Sequence, residues 1–263
     1  MPSMDLVPIL TQKFETFLII TMRVGGIFFT SAFFGNRLFP IRAKAALTLF
    51  VAILILPIVP LPKEPYSGNL IGILLTCVSE ISFGVIIGFS SLLLFIGIQM
   101  AGEIIGFQMG FSIVNVIDPM SQSQVSTIAE FKFIIATLIY LAINGHHFLL
   151  SGIVQSFQLI PPGEASLPSA MGEAMTRMCV DVFVIAMKIS APAMITLFLT
   201  SVALGIIART VPQMNVFIVG FPLGIGVGFL ILATGISYFG NIFAKLLSST
   251  EQNILDLIML GRH

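Results

Sequence analysis

Side chains able to do chemistry are scarce in this sequence and poorly arranged for it. His146 and His147 are adjacent, so on a helix they diverge, and no H-E-x-x-H pair is present to hold zinc. The G-x-S-x-G elbow, the Walker A loop and the dinucleotide fingerprint are missing as well. Asp118 and Asp181 could form a carboxylate dyad, but each has a simpler role, one at a helix end and the other in a charge stripe. The reading is a protein that is not an enzyme, with no catalytic residues, cofactor or metal.

The remaining ionisable groups stand inside apolar stretches: Arg23, Glu80, Glu130, Lys132, Asp181 and Lys188, with Glu103 beside them. A charge at the centre of a membrane helix costs roughly 2.5–3.5 kcal/mol on insertion scales, so these groups should face protein and not lipid. Glu173, Arg177, Asp181 and Lys188 fall within an arc of about 80° on a helix and alternate in sign. They make a stripe suited to docking against a neighbouring element, a reading preferred to a proton relay. Glu130 and Lys132 are two apart and face different ways, so they need separate partners.

The elements that must position these groups follow from composition. Of the 263 residues, 57% are hydrophobic and 9% charged, and the mean hydropathy is +1.06. Soluble domains carry about 25% charged residues, so membrane-type helices are expected. Lys plus Arg equals Asp plus Glu at 12 each, which favours neither nucleic acid nor an anionic surface. Cys77 and Cys179 read as reduced, buried small hydrophobes. Apolar stretches run at 17–34, 45–61, 69–101, 128–160, 179–208 and 214–244, suggesting six spans. The first is read as an uncleaved helix. The two stretches of 33 residues would extend about 50 Å as straight helices, beyond a hydrocarbon core of about 30 Å. They must bend or leave the membrane plane. Basic residues divide four against five between the two sides of a six-span layout, so they leave its orientation open.

Pro-rich loops are expected at 56–69 and 161–169, and "RTVPQMN" (209–215) should close a C-terminal helical hairpin. In "SSTEQNILDLIML" a capping-box pattern from Ser248 to Glu251 predicts a short amphipathic helix with Ile254, Leu257 and Ile258 on one face. Gly102, Gly106 and Gly110 form one ladder and Gly220, Gly224 and Gly228 another, joined by the pair Gly84 and Gly88. Glycines four apart let membrane helices approach closely. After the first ladder, Asp118-Pro119 is expected to stop the helix. Ser121, Gln122, Ser123 and Gln124 then suggest either an extramembrane loop or a segment lining a wet lumen.

Four segments together resemble the FliR family of flagellar type III export proteins, related to the SctT proteins of injectisomes. They are "RVGGIFFTSAFFGNRLFPIRAKAALTL", "GEIIGFQMGFSIVNVIDPMSQSQ", "INGHHFLL" and "LTSVALGIIARTVPQMNVFIVGFPLGIGVG". The resemblance covers nearly the whole chain in order. One departure is Gly224, where many members carry Lys. It implies an all-α membrane protein with broken helices and hairpins, packed in a helical hetero-oligomeric channel of the bacterial inner membrane and flagellar basal body. It further implies FliP-like, FliQ-like and FlhB-like partners, with exported flagellar proteins in transit. Residues 1–175 would be a FliP-like part and residues 176–263 a FliQ-like hairpin with its short amphipathic helix. The loop at 106–124 would plug the closed pore through Gly106, Gly110, Phe111, Ile113, Val114, Val116, Ile117, Asp118 and Pro119. Glu173, Arg177, Asp181 and Lys188 would serve assembly. The competing readings are an injectisome subunit, a small-solute transporter with a broken-helix site, and an intramembrane protease, which would need a constellation the sequence lacks.

Overall fold

A computed structural model describes residues 6–36, 39–59, 70–111, 126–211, 213 and 215–262. Among these it is helical, as the composition requires: α1 (Leu6–Thr30), α2 (Ile41–Ile55), α3 (Leu70–Met109), α4 (Thr127–Ala142), α5 (Gly145–Leu159), α6 (Ser169–Thr210) and α7 (Val216–Leu260). The two overlong apolar stretches resolve differently. α3 keeps 40 residues in one helix. No proline interrupts it, and its hydroxyls turn back onto their own carbonyls, with Thr76 donating to Gly72 O at 3.0 Å and Ser90 to Ile86 O at 2.7 Å. The stretch at 128–160 breaks. Asn144 sits at φ 59° and ψ 32°, a left-handed conformation that Asn tolerates better than most residues. The helix accordingly ends at Ala142 and a new one begins at Gly145.

Two expectations are corrected here. The C-terminal segment is not a separate short helix, because α7 runs unbroken through Ser248 for 45 residues. A capping box acts only where helix N–H groups lack partners, and the preceding turns supply them. The predicted face is nevertheless right: Ile254, Leu257 and Ile258 are buried together. The six-span layout is also revised. Among the described residues, three helices are long and apolar enough to cross a membrane, Ile71–Met109, Ser169–Thr210 and Ile218–Leu260, or four if the bent α4–α5 pair counts as one span. α2, at 15 residues, reaches only about 22 Å, and α1 carries Lys13, Glu15 and Arg23.

The chain forms two compact units. The first comprises Met1–Leu93, Asn144–Met178 and Ser248–His263, and the second Leu94–Ile143 and Cys179–Leu247. In the first unit Ile20, Val24, Ile27 and Phe28 of α1 are buried with Phe83 and Ile87 of α3. Glycines bring these helices together. A Cβ on Gly26 would lie 2.7 Å from Ile81 O, and one on Gly84 would strike the Arg23 carbonyl. In the second unit Phe95 meets Phe133, Tyr140 and Phe243 edge-on, with centroids 5.6–5.9 Å apart. Both cysteines are free, but Cys179 is exposed and Cys77 half-buried, so neither is the core residue expected. Apolar surroundings in sequence do not ensure burial in a protein whose helices expose apolar faces.

Candidate functional site

The first glycine ladder holds two helix ends together in the second unit. Gly102 lies against the start of α4: a Cβ there would come within 2.5 Å of Ala129 Cα and 3.0 Å of Ile128 O. Gly106 faces Ser126, whose Oγ would be 2.5 Å from an added Cβ. That hydroxyl is buried and has no hydrogen-bond partner among the described residues. The chain therefore leaves α3 and enters α4 at one place, and the segment between them issues from a tight clamp.

α3 ends at Gly110 and not at Asp118-Pro119 as the sequence suggested. Gly110 has φ +90°, Phe111 N–H donates to Gly106 O at 3.0 Å, and Gly110 N–H donates to Phe107 O at 3.1 Å. This pair of bonds is the Schellman termination, which a glycine in the left-handed region completes without Cβ strain. The proline was the louder sequence signal, but the glycine comes first along the chain and satisfies the last carbonyls itself. Phe111 then turns back to pack on a core of Ile105, Met109, Ile128, Ala193, Leu197 and Leu232. Its ring centroid is 6.4 Å from that of Phe229. The second ladder receives the same helix end, since a Cβ on Gly228 would strike the Met109 side chain at 2.5–2.6 Å. Ile113, Val114, Val116, Ile117, Asp118 and Pro119 lie outside the described residues.

In the first unit Arg23 and Glu80, each isolated in its own apolar stretch, form a fully buried ion pair. Arg23 Nε donates to Glu80 Oε2 at 2.5 Å and Nη2 to Oε1 at 2.9 Å. The other guanidinium hydrogens go to Ser156 O at 3.0 Å, Ile160 O at 2.9 Å and Pro161 O at 3.3 Å. Glu80 Oε1 also accepts Gly163 N–H at 2.7 Å. The arginine thus closes the carboxyl end of α5, where carbonyls lack helical partners and a cation is favoured. Phe157 and Phe83 flank it, 4.3 and 5.2 Å from ring centroid to guanidinium carbon. Sequence reasoning marked both charges as expensive but did not pair them. Their opposite signs, each alone in an apolar run, were the available signal.

Other assigned residues stand apart. Glu173, Arg177, Asp181 and Lys188 all lie on α6 and all are exposed. Among the described residues they form no ion pair with one another. Glu103 and Glu130 are exposed, while Lys132 is half-buried with its ammonium 4.5 Å from the Phe239 ring centroid. His146 and His147 do not diverge: their rings meet edge-on at 4.3 Å, in the first turn of α5. No group of three or more His, Cys, Asp or Glu side chains suited to a metal occurs among the described residues.

Comparison with known proteins finds a match to the family of bacterial export proteins, family 1, over residues 14–250. The chain is 35% identical over 251 residues to the flagellar biosynthetic protein FliR of Bacillus subtilis (strain 168), covering 94% of this chain and 96% of that protein. Against FliR of Escherichia coli (strain K12) the identity is 31% over 238 residues, with 90% of each covered. Against FliR of Aquifex aeolicus (strain VF5) it is 30% over 220 residues, covering 82% and 83%.

Proposed function

The chain belongs to the FliR family of bacterial export proteins, and from that premise we propose that it is a membrane subunit of the flagellar type III protein export gate. The observation that carries this reading is how little the long helices α6 and α7 bury within the chain itself. The most apolar window of α7 is 11% buried and that of α6 33%, against 56% for α3. Phe183, Phe198, Ile206, Leu230 and Ile236 are among the large side chains left bare. Such a surface calls for lipid or protein neighbours. A solitary solute transporter would be expected to bury its long helices in its own bundle.

In this reading FliP-like and FliQ-like subunits surround the chain, an FlhB-like subunit stands at the entrance, and the assembly sits in the inner membrane at the flagellar basal body. Residues 1–175 act as the FliP-like part and 176–263 as the FliQ-like part. The exposed stripe of Glu173, Arg177, Asp181 and Lys188 meets opposite charges on a neighbour. Asp181→Ala should then lower the amount of FliP-like and FliQ-like protein that copurifies, and a charge exchange at Arg177 or Lys188 should restore part of it. Normal copurification with failed export would favour a proton relay instead.

The segment at 106–124 acts as the plug of the closed pore. The clamp at Gly102, Gly106 and Gly110 supports this reading, because it holds together the end of α3 and the start of α4, between which the segment runs. Opening is then a shift in population away from the plugged state. Deleting residues 113–119 should make the assembled complex conduct ions across a planar bilayer while assembly persists. A deletion complex as tight as the parent would reduce the segment to a connector.

A further inference from the structure

In the second unit, α3, α4, α6 and α7 line a half-open cleft of about 280 Å³. Lys132 and Lys188 both line it, with Thr234 and Tyr238 from α7, and the remaining wall is apolar, Leu232 and Phe239 included. Neither ammonium meets a carboxylate among the described residues. The nearby acids on the same helices, Glu130 and Asp181, are exposed and do not line the cavity. Two like charges at one apolar cleft repel each other and are costly without a counter-ion. We propose that this cavity binds the phosphate group of an anionic phospholipid.

The ammonium groups neutralise the phosphate, and the Tyr238 hydroxyl can donate a hydrogen bond to one of its oxygens, while the Thr234 hydroxyl is spent on Leu230 O at 3.0 Å. A basic pocket between membrane helices is the usual chemistry of acidic headgroup recognition. What selects a lipid over a free anion is the surface around the lysines. Ile195 and Leu199 lie about two and three helical turns past Lys188 on the same face of α6, and both are exposed. Acyl chains can run along that track while the headgroup occupies the cleft. Lys188, the last member of the α6 stripe, is thereby given to the lipid, with Glu173, Arg177 and Asp181 left to meet a partner subunit. A carboxylate carried by a partner helix is the rival occupant of the cleft, and the test separates it.

The complex, purified in detergent with its partner subunits, is supplied with equal amounts of phosphatidylglycerol and phosphatidylcholine, and retained lipid is counted by native mass spectrometry. Phosphatidylglycerol should be retained preferentially. The double variant Lys132→Met/Lys188→Met should lower its retention about tenfold or more, and Lys188→Arg should preserve it. If the double variant does not fold, Tyr238→Phe should still reduce retention several-fold, leaving both charges in place. Equal retention of the two lipids would overturn the proposal. So would an unchanged double variant, or inorganic phosphate competing as well as the lipid. Loss of a partner subunit from the double variant with lipid retention intact would assign the lysines to a protein carboxylate. The outcome does not depend on whether the segment at 106–124 plugs a pore.

Discussion

Arg23→Met should remove most of the folded protein. The substitution leaves Glu80 fully buried with Gly163 N–H as its remaining donor and strips Ile160 O of its own, while Ser156 O and Pro161 O keep the N–H groups of Ile160 and Glu164. Breaking a buried pair from one side costs about 3–5 kcal/mol, which is comparable to the whole stability of a marginal domain, about 5–15 kcal/mol. The expected result is a large fall in the yield of protease-resistant protein and a lowered thermal midpoint in detergent. Arg23→Met/Glu80→Met should recover part of the loss, because no charge is then stranded. It should not recover all of it, since Ile160 O at the end of α5 remains without its donor, at about 1–3 kcal/mol. If Arg23→Met unfolds at the parent's temperature, the pair does not hold α1, α3 and α5 together. A double variant no better than the single would place the effect in that carbonyl and not in the charge pair.

The second large effect is expected from the glycine ladder, and it differs sharply between neighbours. Gly102→Ala places a methyl group against the backbone of Ala129 and Ile128, which cannot rotate away. Overpacking of this kind costs about 1–3 kcal/mol, more than the gain of roughly 1 kcal/mol in helix propensity on replacing Gly by Ala. Gly106→Ala meets chiefly the Ser126 hydroxyl, a side chain that can change rotamer, with Ile128 Cβ at 3.4 Å. There the propensity gain should nearly cancel the clash. Hydrogen exchange in the first turn of α4 should therefore speed up markedly in Gly102→Ala and little in Gly106→Ala. Equal behaviour of the two would mean that α3 and α4 do not touch at Gly102. Gly102→Val should enlarge the difference, because a branched side chain adds bulk at the same point.

Much was legible in the sequence because it depends on local chemistry. Nine per cent charged residues and long apolar runs dictate helices, since backbone groups surrounded by apolar side chains must pair within their own segment. Glycines four apart mark one face of a helix whatever it packs against. The motif strings identified the family because they extend along the chain in order. Ile254, Leu257 and Ile258 were placed on a buried face by helical period alone.

What required tertiary structure were choices among local signals that were each sufficient. Gly110 and Asp118-Pro119 both could end α3, and the earlier one does so because Phe111 finds the core of Ile105, Met109 and Leu232 to pack on. Ser248 could begin a helix, yet α7 passes through it because its N–H groups already have partners. Arg23 and Glu80 are 57 residues apart, so their pairing depends on α1 and α3 crossing at Gly26 and Gly84, a fact no local pattern contains. The convergence of Lys132 and Lys188 on one cavity is of the same kind. A sequence shows which groups need partners, because the cost of an unpaired charge or hydrogen-bonding group is a property of the residue. Which partner each group meets is decided by the backbone paths of elements far apart in the chain.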